Sequence, residues 1–475
     1  MSAVITPDWV KDAVFYQIFP DRFAKSDAVP KPTNLQPWDT PPTPHGFKGG
    51  DLIGVVERLD YLADLGVNAL YLAPVFQSAS NHRYHTHDYY RVDPILGGDA
   101  ALRALLDAAH ARAMRVVLDG VFNHASRGFF QFNHLLECGP DSPYVDWFTV
   151  QSWPVNAYDP RAKAPNYAAW WNLAALPKFN VQTPAVREFL WGVAEHWVRF
   201  GIDGWRLDVI AEIDDDDFWR EFRRRVKAVN PDTYIVGEIW HEAQRWLQGD
   251  QCDAQMNYLF ARAAISFFGG DTLSGLRHGP YQVEKINAAA FAKAIQHTIA
   301  ICDWEIVRSQ LNLLGSHDTP RVLTMVGGDV TAVKLAVLCM MTLPGAPCIY
   351  YGDELGLEGG YEPASRNTIP WDRLDHHQGD LWRFVRAAIA LRHAHPALRR
   401  GTFEVIYAQG DVVAYRRRHQ GAQAVAVFNA GRTETAVTLP AGGLSRVVFG
   451  APEAFTLTNQ ETQVTLPARA GVVLI

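Results

Sequence analysis

The sequence predicts an α/β protein: a (β/α)8 barrel with an excursion domain after its third strand and an antiparallel β-sandwich at its C-terminal end. Three observations carry that expectation. From residue 13 onward, short apolar runs alternate with amphipathic helical stretches, the pattern of a parallel sheet wrapped in helices. Residues 125–182 are too long for a βα connection and are rich in Trp, Tyr, Pro and Asn. After "HPALRRG" the helical period stops, and apolar and polar residues alternate between Gly-rich turns, as in "DVVAYRRR" and "AVAVFNAG". The expected organisation is a barrel from 1–124 and 183–400, an excursion domain over 125–182 and a β-sandwich over 401–475.

The strands can be placed in order. "AVFYQIF" is the first and "VNALYLAP" the second, followed by a helix in "DAALRALLDAAHARAM" with Leu102, Leu105, Leu106 and Ala109 on one face. "RVVLDGVFNH" is the third. Thr183 before Pro184 marks a helix start, cap then first-turn proline, with Val186, Leu190, Val193 and Trp197 as its buried stripe. That helix leads into "DGWRLDV", the fourth strand. "TYIVGEIW", "AQMNYLF", "LNLLGSHD" and "APCIYYGDE" supply the remaining four.

Composition narrows the function. The chain has 475 residues, 48% of them hydrophobic, and its 44 basic and 51 acidic side chains leave a net charge of −7, which argues against nucleic acid as a partner. Its 15 Trp suit a cleft that stacks rings on sugars, although core packing is the commoner use of Trp. No apolar run can span a bilayer, no leader pattern opens the chain, and the five cysteines lack CxxC spacing. A soluble, cytoplasmic protein with no membrane partner is expected.

Barrel enzymes collect their chemistry at the C-terminal ends of the strands. There stand Asp119, Asn123 and His124 on the third, Arg206 and Asp208 on the fourth, Glu238 on the fifth, and His317 and Asp318 on the seventh. Burying an Arg–Asp pair at best breaks even against apolar residues, so Arg206 and Asp208 ask for a reason other than stability. Converging carboxylates meet the needs of glycoside cleavage, in which one protonates the leaving oxygen and another meets the oxocarbenium ion. Arg206 is then expected to depress the pKa of Asp208 for nucleophilic attack. Apolar Ile239 and Trp240 are expected to raise that of Glu238 for proton donation.

The segments "DGVFNH", "GWRLDV", "GEIW" and "LLGSHD" resemble the four signature regions of the alpha-amylase family of glycoside hydrolases, in order and suitably spaced. With "LPKFN" and "YYGDELGLEGG" added, the chain is similar to the cyclomaltodextrinase, neopullulanase and maltogenic-amylase branch, without that branch's usual N-terminal domain. The resemblance implies a retaining α-glucan hydrolase that cleaves α-1,4 bonds in cyclodextrins, maltooligosaccharides, starch or pullulan, with some transglycosylation. It makes Asp208 the nucleophile, Glu238 the acid/base and Asp318 the third carboxylate. It assigns Tyr84, His124, His317, Glu362 and Arg366 to substrate, with Asp119, Arg206, Trp240 and Lys178 completing the lining. At 362 the family's Asp is replaced by Glu.

A calcium-linked His of many relatives, four residues beyond the nucleophile, is here Glu212, so no cofactor is expected and calcium has no ready site. The run Asp214–Asp217 reads as a helix N-terminus, and His82, His85, His87 and Asp88 match no metal-ligand spacing. Without a front domain, a monomer or a dimer of another kind is expected. The cleft would be shaped by the Pro-rich segment 29–47 and by the surroundings of Trp170 and Trp171. A glucanotransferase or trehalose-synthase-like isomerase on the same barrel, and a non-catalytic sugar-binding relative, are the alternatives.

Overall fold

The computed structural model describes residues 4–278, 281–374, 379–457 and 460–475. Strands β1 (Phe15–Ile18), β2 (Ala69–Leu72), β3 (Arg115–Gly120), β4 (Gly204–Leu207), β5 (Tyr234–Gly237), β6 (Ala254–Asn257), β7 (Leu311–Leu313) and β8 (Ala346–Tyr350) pair in parallel and close into one barrel. All but the first residue of β3 are buried in these strands, because helices cover the outside and side chains fill the inside. Register places Asp119 beside Arg206, and Arg206 beside Val236. Close strand contact fixes one residue type: a Cβ on Gly204 would lie 2.7 Å from the Tyr234 carbonyl oxygen.

Several strands are shorter than the sequence suggests. β7 ends at Leu313 and β4 at Leu207, so His317, Asp318 and Asp208 stand on the connections just beyond the strands. Helix α1 (Gly98–His110) buries Leu102, Leu105, Leu106 and Ala109, and helix α2 (Pro184–Phe200) buries Val186, Leu190, Val193 and Trp197. Thr183, however, does not cap α2 with its side chain. Its hydroxyl donates to the Asp146 carbonyl, 2.6 Å away, tying the helix start to the preceding segment. Asp215 does cap helix α3 (Asp216–Val229), accepting from the Phe218 N–H, in keeping with the helix-start reading of the acidic run.

Between β3 and α2 the chain forms a helix at Phe130–Cys138 and several short turns. An isolated bridge pairs His124 with Lys178 and ties this excursion to the chain just past β3, and another pairs Ala169 with Pro177 within it. Helix α4 (Val330–Thr342), helix α5 (Asp380–Ala394) and the short helix α6 (Pro396–Arg400) lead to the C-terminal sheets. β9 (Glu404–Gln409), β10 (Val412–His419), β11 (Ala422–Asn429), β13 (Val447–Phe449) and β16 (Ala470–Leu474) form a five-stranded sheet. β12 (Thr435–Leu439), β14 (Ala454–Leu457) and β15 (Thr462–Leu466) form a three-stranded one. All pairings are antiparallel. Val425 and Val427 from one sheet and Val437, Leu439 and Val464 from the other share an apolar core, the arrangement of a β-sandwich.

Candidate active site

The barrel mouth is organised by one buried cation. Arg206, with no exposed surface, places Nη1 2.8 Å from both Asp119 Oδ1 and Asp208 Oδ1, and Nη2 2.9 Å from Glu238 Oε2. Its Nε–H points at the Met256 sulfur, 3.3 Å away. Behind it, Asp119 Oδ2 accepts from the hydroxyls of Tyr71 and Tyr84, each at 2.8 Å. β3 and β4 bring Asp119 and Arg206 together by register, and Asp208 follows because the chain turns just past β4, where Val209 takes a left-handed conformation at φ 39°. The Val209 N–H donates to Glu238 Oε2 at 3.0 Å, and the Trp240 indole donates to Oε1 at 3.0 Å. Trp240 itself stacks on Tyr258, with ring centres 3.8 Å apart.

This geometry corrects the expected division of labour by environment. Asp208 and Glu238 touch the same guanidinium, so the cation does not single out Asp208. Burial raises the Asp208 carboxyl well above the usual range, with Glu238 and Asp119 adding to the rise and Arg206 opposing it. Burial likewise pushes Asp119 up to about 6 against the pull of Arg206. Three carboxyl groups share one cation, so each further ionisation among them adds negative charge that Arg206 no longer balances.

Asp318 is held separately. Its Oδ2 lies 3.1 Å from His317 Nε2 and its Oδ1 3.3 Å from Arg366 Nη2. Arg366 also donates from Nε to the His317 carbonyl at 2.9 Å and pairs with Glu362. The Gln17 side-chain amide donates to His317 Nδ1 at 2.8 Å, which puts the imidazole proton on Nε2, facing Asp318 and the Tyr84 hydroxyl oxygen 2.5 Å away. Burial lowers the pKa of His317 well below its ordinary value, so the ring is neutral. Tyr84 and His317 stack, with ring centres 5.2 Å apart. His124, also buried and pushed down to about 3, stacks on Trp170 at 5.2 Å, and its Nε2 has no protein partner.

The expected site residues therefore fall into linked groups around the mouth. Arg206, Asp119, Asp208, Glu238, Trp240 and Tyr84 form one, and His317, Asp318, Arg366 and Glu362 another, joined through Tyr84. His124 and Lys178 meet across the bridge that ties down the excursion. The Lys178 ammonium donates to Glu212, at 2.9 Å from Oε2 and 3.2 Å from the main-chain oxygen. Glu212, at the position of the calcium-linked His of many relatives, thus already faces a positive charge. No group of three or more His, Cys, Asp or Glu among the described residues could hold a metal. His82 and His85 pack edge to face at 4.8 Å, and burial lowers the pKa of each, that of His85 to about 4.

Further residues touch the machinery without having been expected, among them Gln17, Tyr71, Met256 and Tyr258. A polar residue in each of the apolar runs "FYQI" and "ALYL" was the available signal for the first two. Nothing in the sequence marks the sulfur of Met256. The Pro-rich segment is pinned near Arg366: the Trp38 indole donates to the Ile369 carbonyl at 2.8 Å, the Thr368 hydroxyl donates to the Trp38 carbonyl at 2.6 Å, and Asn81 reaches the Pro44 and Gly46 carbonyls.

The chain has close counterparts. Residues 17–385 match the family model described as "Alpha amylase, catalytic domain". A cyclomaltodextrinase from Geobacillus thermopakistaniensis (strain MAS1) is 43% identical over 438 residues, 91% of this chain and 71% of that protein. The native form of Nostoc punctiforme debranching enzyme superposes with a TM-score of 0.92 at 47% identity, covering 99% of each chain. The cyclic alpha-maltosyl-(1→6)-maltose hydrolase of Arthrobacter globiformis, in complex with that sugar, does so at 0.88 and 39% identity, covering 99% of this chain and 100% of its own. The shared barrel, the matched catalytic-domain model and identity sustained over nine-tenths of the sequence lead to one conclusion: this chain belongs to the alpha-amylase family and is an α-glucan hydrolase.

Proposed function

We propose that the mouth cleaves α-1,4-glucosidic bonds in cyclic and short α-glucans with net retention at the anomeric carbon. The observation that carries this reading is the single buried guanidinium of Arg206, which touches Asp208 and Glu238 on neighbouring nitrogens. Asp208 attacks C1 and forms a glycosyl ester as the C1–O bond breaks, and Glu238 gives its proton to the leaving oxygen. Glu238 then takes a proton from water, which attacks C1 and releases Asp208. Asp318 grips sugar hydroxyls, together with Arg366 and Glu362. His124 Nε2, buried without a protein partner, is free to meet a hydroxyl, whereas the neutral His317 already has both ring nitrogens engaged, by Gln17 on one side and by Tyr84 and Asp318 on the other, and holds Asp318 in place. Tyr84 and Trp240 offer ring surface, Asp119 holds Arg206 in place, and Lys178 braces the excursion wall.

The substrate class is supported by relatives named cyclomaltodextrinase, neopullulanase and maltogenic alpha-amylase, and by the Arthrobacter hydrolase named for a cyclic maltosyl-maltose. An intracellular location agrees with five free cysteines and with a Bacillus subtilis relative named as an intracellular maltogenic amylase. No described helix is long and apolar enough to cross a membrane. The test is proton NMR of fresh product alongside a product profile on cyclodextrin, starch and pullulan. The α-anomer is expected first, and early β-anomer would rule out the two-step mechanism. Strong preference for starch would move the substrate reading to polymers.

A further inference from the structure

Three near-parallel rings lead out of the site. His124 stacks on Trp170 at 5.2 Å and 10°, and Trp170 stacks on Trp171 at 4.5 Å and 16°. Trp171 ends the series with 75% of its surface exposed, the largest exposure among the described large apolar side chains. Its backbone is unfavourable as well. Trp171 has φ 50° and ψ 25°, and the next residue, Asn172, has φ 58°. Asn tolerates the left-handed region through its short polar side chain, but a bulky residue pays for it in close contact between Cβ and backbone. The turn is closed by the Asn172 N–H to the Ala169 carbonyl and the Leu173 N–H to the Trp170 carbonyl. The chain therefore holds a strained indole in water with one face covered by Trp170 and the other open.

Folding alone does not explain this, since a glycine would suit the turn better and a polar side chain would suit the exposure better. We infer that Trp171 is a glucosyl-stacking site, which takes the apolar C–H face of a sugar unit lying beyond those held at the cleavage point. The inference rests on the α-glucan reading above and adds to it. The Trp170 step connects the outer ring to His124, so a chain or ring of glucose long enough to leave the mouth along this wall meets Trp171. Shorter substrates end before reaching it. The site therefore sets preference by substrate size, and its ligand is several α-linked glucose units rather than one.

The test uses the full chain with Trp171→Gly and Trp171→Phe. Glycine removes the ring and relieves the strain, so the melting temperature should hold or rise, while the ratio of kcat/KM on maltoheptaose to that on maltotriose should fall about fivefold, the scale of one ring contact. Phenylalanine should restore most of the ratio. An unchanged ratio, or a parallel fall on both sugars with a lower melting temperature, would overturn the assignment in favour of a packing role. Calorimetry of β-cyclodextrin with Glu238→Gln, with and without Trp171→Gly, reads the same site without turnover. A weakening of about fivefold is expected, and an unchanged Kd refutes the site. Absence of hydrolysis by the unaltered protein would instead defeat the catalytic reading and leave this binding result to stand by itself.

Discussion

Arg206 at the barrel mouth and the pair Arg392 and Arg417 beneath the β-sandwich are all fully buried, yet they meet different partners. Arg206 faces Asp119, Asp208 and Glu238. Arg392 donates to the carbonyls of Met341, Leu343, Gly345 and Leu398, and Arg417 to those of Thr342, Gly401 and Thr402. Those oxygens lie at or just past the ends of α4 and α6, where helix carbonyls lack partners and the dipole favours a cation. The charges respond accordingly. Burial opposes the charge on Arg206, but Asp119 and Glu238 outweigh it and raise its pKa, whereas burial pushes Arg392 and Arg417 each down to about 9. A buried arginine alone therefore says little about function. The one that gathers competing carboxylates stands at the barrel mouth; of those that collect carbonyls, Arg417 ties the C-terminal sheet to the end of α4, and Arg392 ties the end of α4 to α6.

The strongest way to break this contrast is at the mouth. Asp208→Asn and Glu238→Gln should each lower kcat by roughly three to five orders of magnitude, because nucleophile and proton donor act as a unit. Stability should move the other way for Asp208→Asn. Burial raises that carboxyl, so its ionised form opposes folding, and the neutral amide should hold or raise the melting temperature at neutral pH. Either variant keeping more than a tenth of its activity would remove the assignment.

At the junction the expected signs reverse. Arg417→Met keeps the volume but strands the carbonyls of Thr342, Gly401 and Thr402, and should cost about 3 kcal/mol of stability by denaturant titration. The folded fraction should turn over substrate at the ordinary rate. A loss of kcat without loss of stability would mean that the junction speaks to the mouth and that the two regions are not separable in this way.

Much of this contrast was legible in the sequence at one end and little at the other. Apolar runs located all eight barrel strands because each is buried on both faces, and the signature segments pointed to Asp208, Glu238 and Asp318, which the strand ends bring to one mouth. The run "RRR" at 416–418 hides its differences. Arg416 pairs with Glu404, Arg417 is buried, and Arg418 is exposed. Strand alternation does put Arg417 on the face of Val413 and Tyr415, but alternation reports a face and not which helix ends will cover it. The sharing of Arg206 among three carboxylates was missed for a similar reason: Asp119 lies 87 residues away along the chain, and adjacency came from barrel register.

Glu354 sharpens the comparison on the pH axis, as a buried carboxyl with no cation in hydrogen-bonding contact. Tyr16 and Tyr61 donate to its Oε1 at 2.8 and 2.7 Å, its Oε2 has no partner, and burial pushes it up to about 7. The folded state thus holds this proton more tightly than the unfolded chain. Its stabilising effect is complete below the ordinary glutamate range and is lost as pH rises through about 7. Between pH 5.5 and 8 this amounts to about 2 kcal/mol. Glu354→Gln should remove that slope from the pH dependence of the melting temperature. A slope equal to that of the unaltered protein would place the titrating group elsewhere.

The smallest expected effect concerns a cation that mixes the two modes. The Lys178 ammonium meets one carboxylate oxygen and one main-chain oxygen, both of Glu212, and joins the excursion to the connection after β4. A calcium ion at that place would need six to eight oxygen ligands. Here the Glu212 oxygens already face a positive charge, and Asn123 Oδ1, buried nearby in sequence to the bridge at His124, is a single unpartnered oxygen. One free oxygen falls short of that ligand number. A chelator should therefore change neither the melting temperature nor kcat/KM. Lys178→Met should cost less than about 1 kcal/mol, because both partners of the pair are partly exposed and solvent screens their attraction. Loss of activity with chelator, restored by calcium, would show that the excursion is held by a metal and that Lys178 does not substitute for one.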